Sequence, residues 1–364
     1  MGFRSGIFEI QEIIVTSNQI FVLILALLHT VLYAWGFRHL SRERWQFIGT
    51  IPLAKSRDGQ WRGLNLTYYG LFNAHACTLA VGMVYLLLAA SGLALTAIHL
   101  VVAATLLFCV PAAKLVARWV EKKAHTFSIG GAAFVGLVST PWILLGLNRL
   151  WAPWGMAPVP ILPVLAAIAT AYALGEGCGR LACISFGCCY GRPLDRLPSV
   201  LRRLLARFSV AYQGTTKKIA YAGHLHDRPV VAVQAITAVL YTALGLSSLL
   251  LFFRGRAAEA YLLAVGGTQG WRFVSEFLRA DYRGNGRISA YQVMALLAIF
   301  YAMGVCLFWG GSFPSIDVVQ GLRRLWHPGV ILLSQVLWIG IFLYMGRSQV
   351  TGASISFYVH KDRI

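Results

Sequence analysis

The chain has 364 residues, of which 58% are apolar and only 12% are charged. A soluble protein of ordinary composition has roughly twice that charged fraction, and the mean hydropathy here is +0.66. The composition therefore excludes a soluble globular protein and predicts a polytopic membrane protein. Lys and Arg outnumber Asp and Glu by 32 to 13. That excess favours an anionic phospholipid as partner, and no nucleic-acid partner is predicted.

Apolar runs that can cross a hydrocarbon core of about 30 Å need roughly 20 residues each. Irregular backbone and open sheet edges are unstable in lipid, so the predicted fold class is all-α, a polytopic helical bundle. The first run follows Glu9 and Glu12 without a small-residue cleavage site after it, so we interpret it as a retained helix. About nine runs occur, near residues 20–37, 66–90, 93–113, 127–147, 157–184, 230–253, 257–278, 289–310 and 330–346.

The longest polar insert lies between the fifth and sixth spans, over residues 185–229, and contains eight Lys or Arg residues against two Asp. Within it, the segment PSVLRRLLARFSVAY has the pattern of a basic amphipathic helix that lies on a membrane surface. The insert is therefore predicted to be a small basic cap domain on the lipid headgroups. A solvated basic loop is the alternative.

Alternating the nine spans across the membrane places 24 of the 32 Lys and Arg residues on the face that carries this insert. Six lie on the opposite face, and Arg180 and Arg272 lie within spans. By the positive-inside rule the basic face would be cytoplasmic.

Ionisable side chains within the bilayer are costly and mark candidate sites. Glu176 and Arg180 share one helix face near the end of the fifth span, and Arg272, Glu276 and Arg279 share one face at the end of the seventh. Both spans run toward the basic face, so the sequence predicts a polar pocket open to that leaflet. Its arginines outnumber its glutamates, and a surplus guanidinium favours an anion such as a lipid phosphate. Ion pairs that only stabilise the bundle are the alternative.

Four of the seven cysteines lie within twelve positions, from Cys178 to Cys189. Their spacing lacks the second CxxC of a structural zinc site, and adjacent cysteines chelate one ion poorly. No metal or other cofactor is predicted. The sulfur is interpreted as incidental, with Arg180 as the functional centre of this stretch.

The same stretch, GRLACISFGCCYGRP from Gly179, resembles the signature of the prolipoprotein diacylglyceryl transferases of bacterial membranes. Three further stretches resemble that family in order and spacing: LTYYGLF, RPVVAVQ and RFVSEFLRADYRGNGRISAYQ. The resemblance covers about residues 60–310. It implies an extra N-terminal span and basic loop over 1–60, a transferase-like core over 61–310 that includes the cap, and an extra C-terminal span and tail over 311–364.

The resemblance implies an activity and a set of site residues. The family moves the diacylglyceryl group of phosphatidylglycerol to a cysteine thiol of a prolipoprotein, at the outer face of the bacterial cytoplasmic (inner) membrane. Arg180 and Arg272 would stabilise the departing phosphate, and Glu276 would orient Arg272. The implied catalytic residues are Arg180, Arg272, Glu276 and Tyr69, and the implied substrate-binding residues are Glu176, Gly191, Arg192, Gln234, Arg279 and Gln292.

The sequence departs from the family pattern at several positions: Ile236 and Thr237 replace a Tyr-Glu pair, and Cys183 replaces a frequent asparagine. Ile129 stands where the family has a histidine, and His125, four residues earlier, is the candidate base. The first predicted function is therefore the transferase. The alternative is a non-catalytic membrane protein that binds or moves an anionic phospholipid, or an inverted paralogue with another acceptor. The family resemblance implies a site at the outer face of the membrane, whereas the distribution of basic residues places the same face in the cytoplasm. The sequence predicts no oligomeric state.

Overall fold

The computed structural model describes residues 3–59, 61–120, 128–155, 157–281, 288–311, 313–355 and 362, with side chains from residue 17 to residue 348 within these ranges and at residue 362. The described helices are α1 Phe3–His39, α2 Tyr68–Ala90, α3 Leu95–Val120, α4 Ile129–Trp151, α5 Ile161–Phe186, α6 Ser199–Leu205, α7 Lys218–Tyr221, α8 Val233–Phe253, α9 Ala257–Leu278, α10 Ala290–Trp309, α11 Val318–Leu325 and α12 Pro328–Met345. The described strands are β1 Phe47–Lys55, β2 Trp61–Thr67, β3 Ser209–Val210, β4 Val230–Val231 and β5 Arg347–Ile355.

Eight of the described helices are long and apolar enough to span a membrane, namely α1, α2, α3, α4, α5, α8, α10 and α12. The predicted polytopic helical bundle is thereby confirmed. The remaining predicted span, the seventh in chain order, is α9. It has 22 residues but includes Glu259, Arg272 and Glu276, which lower its hydropathy. It packs against α5, α8 and α10, so protein surrounds its polar face.

Helix α5 is the centre of the bundle, since it packs against α2, α8 and α9 and 78% of its most apolar stretch is buried. Small residues permit this close packing. A Cβ at Gly175 would meet Ala80 of α2, and a Cβ at Gly177 would meet Thr242 of α8. The helix ends at Gly187, whose φ of 71° favours glycine. This end delivers Glu176 and Arg180 to the site.

The structure contains two small sheets that the sequence analysis does not predict. The predicted basic amphipathic helix forms only over α6, and β3 follows within the same segment. Strand β2 pairs antiparallel with β1 on one side and with β5 on the other, and β3 pairs with β4 in the cap. The Thr67 backbone N–H donates to the Gly346 carbonyl at 3.0 Å. The N-terminal and C-terminal additions therefore meet beside the start of α2.

Contacts at the two ends of α1 define the two faces of the bundle. Near its C-terminal end, the Gln213 backbone N–H of the cap donates to the Ser41 carbonyl at 3.0 Å. Near its N-terminal end, the Asn18 side chain donates to the Ile316 carbonyl at 2.7 Å. We call the end that bears the cap and the three-stranded sheet the site face. The ends of α5 and α9 lie on it.

Candidate active site

Helices α5 and α9 bring two arginines to one carboxylate. Arg180 donates through Nη2 to Glu176 Oε1, one turn earlier on α5. Arg272 Nη2 on α9 lies 3.8 Å from the same oxygen. The arginine side chains are only 11% and 12% exposed. Two guanidiniums share one carboxylate, so this cluster carries one net positive charge in a largely dry environment.

Arg180 also presents an unused donor. Its Nε is buried and has no hydrogen-bond partner among the described residues. Leaving a buried donor of a charged group unpaired costs about 1–3 kcal/mol or more. An anionic ligand that accepts from this N–H would remove the cost.

The first turn of α4 leaves room for the Arg272 side chain. A Cβ at Gly130 would collide with Arg272 Nη1. Tyr172 and Tyr241 lie close to the same guanidinium from α5 and α8, and the Tyr241 hydroxyl donates to the Thr268 carbonyl at 2.7 Å. The guanidinium of Arg272 is therefore positioned by three helices besides its own.

Arg279 belongs to a second, separate ion-pair group. It donates to Asp281 through Nε at 2.8 Å and through Nη2 at 2.9 Å, and its Nη1 lies 3.8 Å from Glu276 Oε1. The Ser289 hydroxyl donates to Glu276 Oε2 at 3.3 Å. The planar guanidinium of Arg279 is thus already matched by a carboxylate in bidentate geometry.

These contacts differ from the sequence expectation in two respects. Glu276 was expected to orient Arg272, but its closest cation is Arg279, while Glu176 contacts Arg272, because Arg272 extends from α9 toward α5. The sequence analysis also compared the number of arginines in the pocket with the number of glutamates only, and did not include aspartates. With Asp281 the two groups contain three arginines and three carboxylates. The Arg180, Glu176 and Arg272 cluster therefore carries one positive charge, and the Arg279, Glu276 and Asp281 group carries one negative charge.

Gly191 and Arg192 join the cap to the end of α9. Gly191 forms an antiparallel bridge with Arg279, and a Cβ at Gly191 would collide with the Val231 carbonyl oxygen. The Arg192 backbone N–H donates to the Leu278 carbonyl at 2.8 Å. Both predicted substrate-binding residues therefore have a structural role in this conformation.

Two predicted glutamines also bond to the protein itself. The Gln234 amide donates to the Cys188 carbonyl at 2.8 Å. The Gln292 side chain accepts from the Ser289 N–H at 2.8 Å in a capping box and donates to the Phe273 carbonyl at 3.2 Å. These contacts fix the turn after α5 and attach α10 to α9.

The remaining predicted residues lie around this cluster or outside the described residues. Tyr69 is in the first turn of α2, with its ring 5.3 Å from that of Phe186. Ile129 begins α4 and is 41% exposed. His125, the candidate base, lies outside the described residues.

An apolar cleft of about 750 Å³ extends from this cluster into the bundle, between α2, α3, α4, α5, α9 and α12. Glu176 and Ile129 line it toward the site face, while Leu165 and Tyr261 line it deeper in the bundle. Its volume is within the range of ligand pockets, about 300–1,000 Å³. Arg180 and Arg272 do not line the cleft themselves, but the Glu176 carboxylate that they share does. An apolar cleft that adjoins this cluster suits a lipid with an anionic headgroup.

A family model described as prolipoprotein diacylglyceryl transferase matches residues 60–309. The chain belongs to that family. The match includes α2 to α10, hence every described residue of the site, and supports membership of a transferase family that acts in lipoprotein biosynthesis. Helices α1, α11 and α12 and strands β1 and β5 lie outside the matched range. A search of curated proteins found no match for the chain.

Sequence reasoning missed several residues of the site. Asp281 stands inside a stretch that carries the family resemblance, and Gly130 directly follows Ile129 at the family's histidine position, so both positions were usable signals. Tyr172 and Tyr241 had no such signal, because each reaches Arg272 only through the packing of α5 and α8 against α9.

Proposed function

We propose that this family member transfers the diacylglyceryl group of phosphatidylglycerol to a cysteine thiol of a prolipoprotein in a bacterial inner membrane. The observation that carries the proposal is the carboxylate of Glu176 shared between Arg180 and Arg272 at the end of the apolar cleft. A phosphate diester supplies the one negative charge that this cluster lacks. Its acyl chains would occupy the cleft.

The transfer is a substitution at carbon. A bond forms between the thiol sulfur and a glyceryl carbon, and the bond from that carbon to the phosphate oxygen breaks. Glycerol phosphate leaves, and the thiol proton passes to a base. Arg180 and Arg272 would donate to the phosphate oxygens and stabilise the charge that develops on them. Glu176 would hold both guanidiniums in position before the lipid arrives.

A second function follows from the residue at the family's histidine position. Ile129 cannot accept a proton, so the thiol would need another base, with His125 the candidate in the neighbouring sequence. If no base serves, the same cluster and cleft would bind an anionic phospholipid without transfer.

Complementation tests the proposal. The chain is expressed in cells depleted of their own diacylglyceryl transferase, and lipidation of a precursor is detected by gel shift. We expect lipidation with the unchanged chain and with the control Arg256→Ala, whose exposed side chain pairs with Glu259 on the opposite face. Arg180→Ala and Arg272→Ala should each abolish it.

Two outcomes would contradict the proposal. Lipidation that survives both Arg180→Ala and Arg272→Ala would show that this cluster is not the active site. A well-inserted but inactive chain that still binds phosphatidylglycerol vesicles in an Arg180-dependent manner would establish the lipid-binding function instead.

A further inference from the structure

Three cysteines that the sequence spacing gave no role lie together in the fold. Cys183 is in the last turn of α5, and Cys188 and Cys189 follow Gly187. Their Sγ atoms all lie within 4.8 Å of one another. The chain reverses at Gly187, and the Cys188 backbone N–H donates to the Cys183 carbonyl at 3.1 Å. The sequence analysis compared the cysteine spacing with zinc motifs only, whereas the reversal at Gly187 brings the three thiols together without such a motif.

The separation of the three sulfurs suits one ion. With metal–sulfur bonds of about 2.3 Å, three thiolates around a trigonal ion lie about 4 Å apart. Small side-chain rotations therefore suffice to close the site. Structural zinc sites have four protein ligands, and the described residues offer three thiols in this cluster. Thiolate donors select soft cations, of which Cu(I) accepts a ligand set of this size.

The surroundings of the cluster supply what a thiolate site needs. Tyr212 is fully buried, and its hydroxyl, which lies beside the Gln234 side chain, makes no hydrogen bond of good geometry among the described residues. The three cysteines are close to that side chain. Metal binding converts thiols into thiolates, which accept hydrogen bonds from such donors, and donors of this kind commonly support metal ligands.

Positive charge near the cluster would offset the negative charge of three thiolates. Arg180, which belongs to the cluster with one net positive charge, lies near Cys183. The Gln234 amide also holds the Cys188 carbonyl at 2.8 Å, which fixes the turn that carries two of the ligands.

We infer that Cys183, Cys188 and Cys189 form a three-thiolate site for a soft monovalent cation, Cu(I). One ion would replace three thiol protons and bind three sulfurs, with no change in oxidation state. The site is distinct from the cleft, and the inference does not depend on the proposed transfer.

The test is a Cu(I) titration of the full chain, purified in lipid nanodiscs with its thiols reduced, in competition with a chromophoric Cu(I) chelator. We expect one tightly held equivalent, which Cys183→Ser, Cys188→Ser and Cys189→Ser each eliminate. Cys178→Ser and Cys306→Ser are the matched controls, because neither sulfur belongs to the cluster. Both variants should still bind one equivalent of Cu(I). Absence of binding, or binding that survives replacement of all three cysteines, would overturn the inference.

Further measurements separate loss of ligands from misfolding. Tyr212→Phe keeps all three sulfurs and should weaken Cu(I) binding by about tenfold or more. In the unchanged chain, Cu(I) should protect the three cysteines from maleimide, read by mass spectrometry. Equal labelling with and without Cu(I) would refute the site. Zn²⁺ that displaces Cu(I) stoichiometrically would refute the choice of ion.

Discussion

Lys217 shows how one buried side chain connects the cap to the bundle. It is fully buried, and its Nζ donates to the Leu40 carbonyl at 3.1 Å and to the Ser185 carbonyl at 2.6 Å. These acceptors follow α1 and end α5, so one ammonium links two helix ends to the cap. Burial lowers the pKa of Lys217 to about 8, and the Glu43 carboxylate offsets part of that effect.

The lowered pKa of Lys217 predicts a dependence of stability on pH. Below about pH 8 the lysine is charged in both states, and the folded state bears the cost of burying the charge. Between the folded pKa of about 8 and the ordinary value of 10.5, the unfolded state binds more protons, so stability rises with pH. The shift corresponds to about 3 kcal/mol over that interval.

Thermal unfolding of the unchanged chain and of Lys217→Met across this pH interval measures the effect. We expect Lys217→Met to be less stable throughout, since two buried carbonyls lose their donor, and the deficit to widen as pH rises. Lys218→Met, at the half-buried neighbouring lysine, should track the unchanged chain. A deficit that does not change with pH would show that the Lys217 amine does not titrate in this range.

At the scale of elements, the start of α4 is fixed against two neighbours. The Ser128 hydroxyl accepts from the Gly131 N–H at 3.1 Å and donates to the Tyr291 hydroxyl of α10 at 2.8 Å. Gly130 then lies directly against Arg272 of α9. Because α4 is held in place, a side chain added at residue 130 must displace the guanidinium.

Gly130→Ala should therefore lower lipidation by about a hundredfold, since small displacements of a positioned catalytic group have effects of this size. The measurement is the initial rate of precursor lipidation in membranes with matched amounts of inserted protein. Gly146→Ala is the control on the same helix, because a Cβ there meets nothing within 4 Å. Equal rates for the two variants would mean that the position of Arg272 does not limit the reaction.

At the scale of the whole molecule, the N-terminal and C-terminal segments that lie outside the family match both contribute to the site face. Strand β5, which follows α12, pairs with β2 immediately before α2. Helix α1 packs against α5, α8 and α11. The cap, the three-stranded sheet and the site therefore lie on one side of the membrane, and the location of β5 reports the location of the site.

A reporter protein fused after Ile355, at the end of β5, determines on which side of the membrane the site face lies. The proposed acceptor emerges at the outer face, so we expect alkaline phosphatase at this position to be active and green fluorescent protein to be dark. The 24 basic residues that the sequence predicts for this face would then reflect attraction to anionic headgroups rather than cytoplasmic retention. A fluorescent and phosphatase-negative result would place the site in the cytoplasm and favour the inverted paralogue.

The sequence by itself determined the helical bundle and predicted the residues at the centre of the candidate site. Long apolar runs must become helices in lipid, because no other backbone arrangement satisfies its hydrogen bonds there. Glu176, Arg180 and Arg272 stood out because ionisable groups inside spans are rare and costly.

Only the tertiary structure decided which groups meet. The pairing of Arg272 with Glu176 and the pairing of β2 with β5 each join segments that are far apart along the chain, and local sequence carries no information about such contacts. The cysteine cluster shows the same limit at short range, because three thiols meet only when the chain reverses at Gly187. Local periodicity determines helices and their faces, whereas contacts between helices depend on how side chains pack across the whole bundle.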